Sequence, residues 1–331
     1  MPISRRALLG LERRAADGAA AERRDSWVRV YRRIMACRFE VVLPAEEARH
    51  LEAARRALDE ADRLEAQLSL FRPESDLAHV NREAHLHPVE AGAALFDLLV
   101  RSRDLHAATE GAFDVTSTPL SRCWGFLARA GRKPSDEEIA EARARVGLER
   151  VTLDAARRAV RFDRPGIELN LGSIGKGYAV DRMAGILRAA GIRRALISAG
   201  RSSMLALGGG WPIDIRSPLA DRPIARLHLS DAALGTSGPG RQFVEIEGVR
   251  YGHVIDPRSG RPARGILSAS VICDAATDAD ALSTAFLVGG PDLAARYCAA
   301  HPRTLALIVL DDAERTVRSA GAHPGVAIAS R

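Results

Sequence analysis

One segment restricts the fold of this 331-residue chain more than any other: Leu169-Asn170-Leu171-Gly172-Ser173-Ile174-Gly175-Lys176-Gly177-Tyr178-Ala179-Val180-Asp181. The apolar alternation predicts a strand over 167–171, the glycines predict a tight turn, and the spacing after Gly175 predicts a helix over 175–190. A strand feeding a glycine turn and a helix N-terminus lets backbone N–H groups approach a phosphate, and Lys176 adds a point charge. The P-loop spacing is not met, because Asn170 stands where its first Gly belongs and Gly177 replaces the Ser or Thr after Lys. The Rossmann glycine spacing is not met either. A plain tight turn explains the glycines equally well. One compositional fact favours the phosphate reading: of 48 Lys and Arg residues only Lys133 and Lys176 are lysines. In so Arg-biased a chain a Lys marks a place where the wider guanidinium fork does not fit.

Four other places carry candidate chemistry. In Thr277-Asp278-Ala279-Asp280-Ala281-Leu282-Ser283-Thr284, helical spacing puts Asp280 and Thr284 on one face with Ser283 beside them. A carboxylate with hydroxyls is a hard oxygen set suited to Mg²⁺; the competing reading is a capping box, Thr277-x-x-Asp280. Gly252-His253-Val254-Ile255-Asp256-Pro257-Arg258-Ser259-Gly260 reads as a strand that delivers His253 into a turn. His253 is a candidate general base, set against a purely structural turn histidine. Phe71, at the end of a helix, and Gly111-Ala112-Phe113-Asp114-Val115-Thr116 offer places for a flat aromatic ligand; aromatic core packing is the alternative. No G-x-S-x-G elbow is present, so a hydrolase of that type has no support.

The rest of the chain reads as mixed strands and helices, an α+β pattern. Helices are predicted over 45–68, 91–110, from Ser135, and over 277–288 and 292–300. Strands are predicted over 37–43, 159–162, 195–198, 204–207, 212–215, 225–229, 243–246, 268–273 and 304–310. Residues 1–34 hold nine arginines against four acidic residues and read as a solvated, partly disordered basic leader. Basic, aromatic-studded surface does not recur downstream, which argues against nucleic acid as the main partner. Ser4-Arg5-Arg6-Ala7-Leu8-Leu9 begins like a twin-arginine export signal, but the apolar stretch ends at Leu11. The expectation is a cytoplasmic protein without a transmembrane segment, export through that signal being the alternative. Cys37, Cys123, Cys273 and Cys298 have no C-x-x-C spacing and suggest neither zinc nor disulfides.

In their order these segments resemble the ApbE family, the FAD:protein FMN transferases, from about Met35 to Val288. The marks are Met35-Ala36-Cys37-Arg38-Phe39-Glu40-Val41, Ser69-Leu70-Phe71-Arg72-Pro73-Glu74-Ser75-Asp76-Leu77 with Asn81, the 111–116 segment, the 172–181 turn, Ser198-Ala199-Gly200, the 253–260 turn and the Asp280/Thr284 helix. The resemblance implies an α+β fold related to the T-fold, with mixed sheets, flanking helices and a smaller helical part beside an FAD cleft. It would occupy 35–331 after a 1–34 leader. It implies FAD contacts at Met35, Phe71, Ala112, Phe113, Asp114, Asn170, Lys176, Val254 and Ile255. Mg²⁺ ligands are implied at the Ser173 carbonyl, Asp280, Thr284 and Ser283, and catalytic roles for His253 and Asp280. The implied reaction is Mg²⁺-dependent transfer of FMN from FAD to a Ser or Thr hydroxyl of an acceptor protein, with release of AMP. This sequence departs from the family pattern where Asn170 replaces Asp, where Gly175 replaces Ala, and where Ser198-Ala199-Gly200-Arg201-Ser202-Ser203 replaces Asn-Ala-Gly-Gly-Asp. Two other functions are weighed: Mg²⁺-dependent hydrolysis of FAD to FMN and AMP, and a non-catalytic flavin-binding or delivery protein.

Overall fold

Alternating burial along the strands builds a sheet that is covered on both faces. The structure, a computed structural model, describes residues 26–328 except residue 129 and the segments 217–222, 239–242 and 247–248. Its main sheet has eight strands: β1 (Trp27–Ile34), β2 (Cys37–Pro44), β3 (Ala195–Ala199), β4 (Ser203–Leu207), β5 (Ala232–Ser237), β6 (Ile266–Cys273), β7 (Leu305–Leu310) and β8 (Val317–Gly321). Each strand pairs antiparallel with the next in sequence, so spatial order and chain order coincide. The site-bearing elements enter as insertions between neighbouring strands.

Successive side chains of a strand point to opposite faces. Phe39, Val41 and Leu43 of β2, Leu205 of β4, Val271 of β6 and Ile308 of β7 join the large core on one face. Their neighbours Val42, Ala206, Ile272 and Leu307 join a second core on the other. The second face is covered by a three-stranded sheet of Trp211–Arg216, Pro223–Leu229 and Val326–Ile328, whose Trp211, Ile213, Leu227 and Leu229 fill that core. The first face carries helices α1 (Leu51–Leu68), α2 (Ala93–Ala108), α3 (Gly175–Ala189) and α4 (Ala276–Ala300). In α1 the buried residues Ala54, Ala57, Leu58, Ala61, Leu64 and Leu68 form the expected stripe. A third, smaller cluster of Leu120, Trp124, Ile139, Ala142, Val146 and Ile255 forms a helical part beside the main body. No described helix is long and apolar enough to cross a membrane.

The α+β reading holds, and three expectations are corrected. Trp27–Ile34, grouped with the leader, is the first strand, paired along its length with β2; residues 1–25 lie outside the described residues. The region 45–68 is a 3-10 turn, Ala45–His50, followed by α1. The strand expected over 167–171 does not form. Leu169 is held by the Asn81 side chain, which accepts from its N–H at 2.8 Å and donates to its carbonyl at 3.0 Å. The Asn170 N–H goes to the Val115 carbonyl. A side chain and a loop satisfy this extended segment where a partner strand would otherwise be needed. The two helices expected over 277–288 and 292–300 are the two arms of α4, kinked where Gly290 has φ 78° and Pro291 follows.

Candidate active site

The site is organised around Asp280, in the first turns of α4. Two glycines let α4 approach its neighbours closely. A Cβ on Gly177 of α3 would lie 2.1 Å from the Ala276 carbonyl oxygen, and one on Gly235 of β5 would lie 2.1 Å from that of Ala279. The α4 N-terminus is therefore seated between α3 and β5 at a spacing no larger residue allows. It is capped from outside: the Asp181 carboxylate accepts from the N–H groups of Ala276 and Thr277, both at 2.8 Å, and from the Thr277 hydroxyl. Burial pushes the Asp181 carboxyl up, and the Thr277 hydroxyl and these amides oppose the shift.

That capping leaves Asp280 free for other work. The residue is 3% exposed. Oδ1 accepts from the Ser203 hydroxyl at 2.8 Å, and Oδ2 accepts from the Gly177 N–H at 3.1 Å. The Lys176 ammonium donates to Oδ2 at 3.4 Å and to the Gly172 carbonyl at 3.2 Å. The capping-box reading of Thr277-x-x-Asp280 is thus set aside, because Asp181 fills that role. Beside Asp280, the Ser237 hydroxyl bridges Ser283 Oγ at 2.8 Å and Thr284 Oγ1 at 3.0 Å.

A cavity of about 500 Å³ opens between the small helical part and the main body. This is within the usual range for a ligand site. Of the sequence-predicted residues, Phe71, Ala112, Phe113, Asp114, Asn170, Ser173, Lys176, His253, Val254, Ile255, Asp280 and Thr284 all line it. Met35 and Ser283 are not among its lining residues. Met35 sits in the β1–β2 turn and packs against the large core. Ser283 is fully buried, its hydroxyl donating to the Asp280 carbonyl at 2.8 Å. Phe71 is 76% exposed at the cavity wall. Asp114 is nearly buried and accepts from the Thr116 N–H at 2.7 Å and the Thr116 hydroxyl at 2.6 Å. Burial pushes its carboxyl up, opposed by the hydrogen bonds from Thr116.

The glycine turn differs from the open amide nest that its sequence suggests. The N–H of Gly172 goes to Asn170 Oδ1, those of Ile174 and Gly175 to the Leu171 carbonyl, and that of Gly177 to Asp280. The turn thus presents mainly Lys176 and Ser173 to the cavity. Sequence reasoning missed Ser203, Thr236 and Ser237. They lie at strand ends, and only the register of β4 and β5 brings Ser203 to Asp280, Ser237 to Ser283 and Thr284, and Thr236 to Ser270 at the cavity wall. Ser203 is marked only as part of the 198–203 departure from the family pattern, and nothing local marks the other two.

A model of the ApbE family matches residues 35–309. The chain belongs to the ApbE family. The FAD:protein FMN transferase of Escherichia coli strain K12 is 32% identical over 248 residues, 72% of this chain and 70% of that one. That of Klebsiella pneumoniae strain 342 is 34% identical over 249 residues, again 72% and 70%. Among solved structures, the ApbE protein of Thermotoga maritima superposes with a TM-score of 0.80 at 29% identity, covering 89% of this chain and 97% of that one. The flavin transferase ApbE of Vibrio cholerae gives 0.76 at 26% identity with the same coverage. The ApbE match encloses every residue that lines the cavity.

Proposed function

We propose that this chain is an FAD:protein FMN transferase that moves FMN from FAD to a Ser or Thr hydroxyl of an acceptor protein and releases AMP. What supports the reading, beside the family, is that Phe71, Asp114, Asn170, Lys176, His253 and Asp280, far apart in sequence, line one cavity. Phe71 presents an aromatic face for a flat ring of the dinucleotide, and Asp114 an acceptor for a ring N–H. Lys176, at the cavity wall, offers an ammonium to the diphosphate. It already compensates the Asp280 charge, so a second cation at Asp280 leaves that ammonium to the phosphates.

The cavity donors fit Mg²⁺: one carboxylate, the Thr284 hydroxyl and a backbone carbonyl at Ser173 are hard oxygens, and such a sparse set leans on substrate phosphates. When bound there, Mg²⁺ would neutralise charge on the pyrophosphate. Ser203 and Gly177 fix the Asp280 carboxylate in place for this. His253 takes the proton of the acceptor hydroxyl as its oxygen attacks the phosphorus of the FMN half. The bond from that phosphorus to the bridging oxygen breaks, AMP leaves with the electron pair, and FMN remains as a phosphoester.

Acceptor dependence tests the reading. Purified protein with FAD and Mg²⁺ should release AMP only when an acceptor protein is added, with AMP matching the flavin that becomes bound to it. AMP and free FMN formed at the same rate without acceptor would instead make the chain an FAD hydrolase.

A further inference from the structure

A second cavity, of about 530 Å³, adjoins the first at Asp114. Asp114 and Pro257 line both. On the second side stand His106, Arg143, Glu149, Arg150 and Arg258. The carboxylate proposed to meet FAD therefore has beside it a histidine that lines the second cavity and not the first.

The local fold explains how the two meet. His106 lies in the last turn of α2. The chain then doubles back: Glu110 and Gly111 have φ 55° and 74°, and the Gly111 N–H returns to the His106 carbonyl. This brings the Phe113 carbonyl to 3.0 Å from His106 Nδ1 and Asp114 Oδ2 to 3.3 Å from it. A carbonyl can only accept, so Nδ1 carries the hydrogen. Thr116 holds Oδ1 through its N–H and hydroxyl. The Thr116 hydroxyl is held in turn by the Gly147 N–H at 2.7 Å. Thr116 thus holds Oδ1 by two hydrogen bonds, while His106, bonded to the Phe113 carbonyl, stands against Oδ2.

We propose that His106 is a positioning residue for FAD binding: its Nδ1–H pins the Phe113 carbonyl and sets the Asp114 carboxylate at the angle that accepts a ring N–H of the dinucleotide. His106 itself touches no substrate. The inference rests on FAD occupying the first cavity.

A mutant cycle read by calorimetric FAD titration tests it. His106→Leu should weaken FAD binding roughly tenfold, the scale expected when a buried carbonyl, here that of Phe113, loses its donor. It should raise KM for FAD while kcat stays within about twofold, as for loss of uniform binding. His106→Asn, whose amide donates from near the Nδ1 position, should restore affinity to within about threefold, little of the donor's contribution being lost. The double variant with Asp114→Asn should bind no more weakly than Asp114→Asn alone, because His106 acts through Asp114. Running His106→Ala beside the Leu variant keeps the cycle intact if one replacement folds poorly. Wild-type affinity in the Leu and Ala variants, losses that multiply in the double variant, or an Asn variant as weak as Leu would each overturn the proposal. If the wild type itself binds no FAD, the reading of the cavity fails; if it does and the Leu variant binds equally, only the role of His106 fails.

Discussion

The Ser203 hydroxyl donates to Asp280 Oδ1 at 2.8 Å, from a side chain with no solvent exposure. Ser203 opens β4 and Asp280 lies in α4, so the sheet and the helix layer meet at this bond. Replacing Ser203 by Ala leaves a buried carboxylate oxygen short of a partner. Such a loss costs about 1–3 kcal/mol of stability. It also frees the carboxylate to turn, so FAD turnover should fall by about tenfold, the equivalent of 1.4 kcal/mol. Denaturant unfolding and steady-state rates read the two effects separately. A Ser203→Ala enzyme with wild-type turnover would show that the orientation of Asp280 is set elsewhere.

Lys176→Arg keeps the charge, yet it should weaken both FAD affinity and turnover. The Lys176 ammonium is lodged between the Gly172 carbonyl and Asp280 Oδ2. A planar guanidinium is broader than an ammonium and needs a different arrangement of acceptors. Wild-type FAD binding by the Arg variant would make Lys176 an interchangeable charge.

Two glycines of one helix should respond to alanine in opposite ways. A Cβ at Gly177 meets the Ala276 carbonyl oxygen at 2.1 Å, so Gly177→Ala must push α3 off α4, costing about 1–3 kcal/mol. The same shift moves the Gly177 N–H away from Asp280, so turnover should drop too. A Cβ at Gly185 meets nothing within 4 Å, and Gly185→Ala should stabilise by about 0.5–1 kcal/mol. Equal effects at the two sites would contradict the close seating of α4.

Acid should weaken the fold partly through Asp274. Arg303 donates to its carboxylate at 2.7 and 2.6 Å, and the buried His323 ring lies 3.1 Å away. The Arg303 hydrogen bonds hold the Asp274 carboxyl at about 2, below its ordinary value of 3.8. The folded value is the lower one, so the pairing stabilises the protein above the ordinary value and is lost as pH falls through about 2. The contribution is small, because the Asp274 side chain is 54% exposed. Urea unfolding of wild type and Asp274→Asn should differ near neutral pH and converge in acid. A gap that persists unchanged at the acid end would assign the difference to something other than this charge.

What the sequence revealed and what it hid follow from range. Helix α3 was legible because its start is encoded locally, by the glycine turn and the apolar spacing after it. Ser135, too, opens its helix with a capping box closed by Glu138. The non-strand at 167–171 was not legible, because its hydrogen bonds go to Asn81 and Val115, far away in sequence. The cavity residues carried by motifs were found. Ser203, Ser237 and the Asp181 cap were not, because their roles exist only once β4, β5 and α3 dock against α4. His106 had the same difficulty: it is an ordinary helix residue until the chain turns back at Gly111.

The most direct test of FMN transfer is the mass of the acceptor. An acceptor protein is incubated with FAD, Mg²⁺ and this chain, and the intact acceptor and its peptides are weighed. The acceptor should become heavier by one FMN less a water, on a single Ser or Thr. No mass should be added when that residue is replaced by Ala or when the enzyme carries Asp280→Ala. An unmodified acceptor beside FAD that has been cleaved to free FMN and AMP would contradict the account, as would undiminished modification by the Asp280→Ala enzyme.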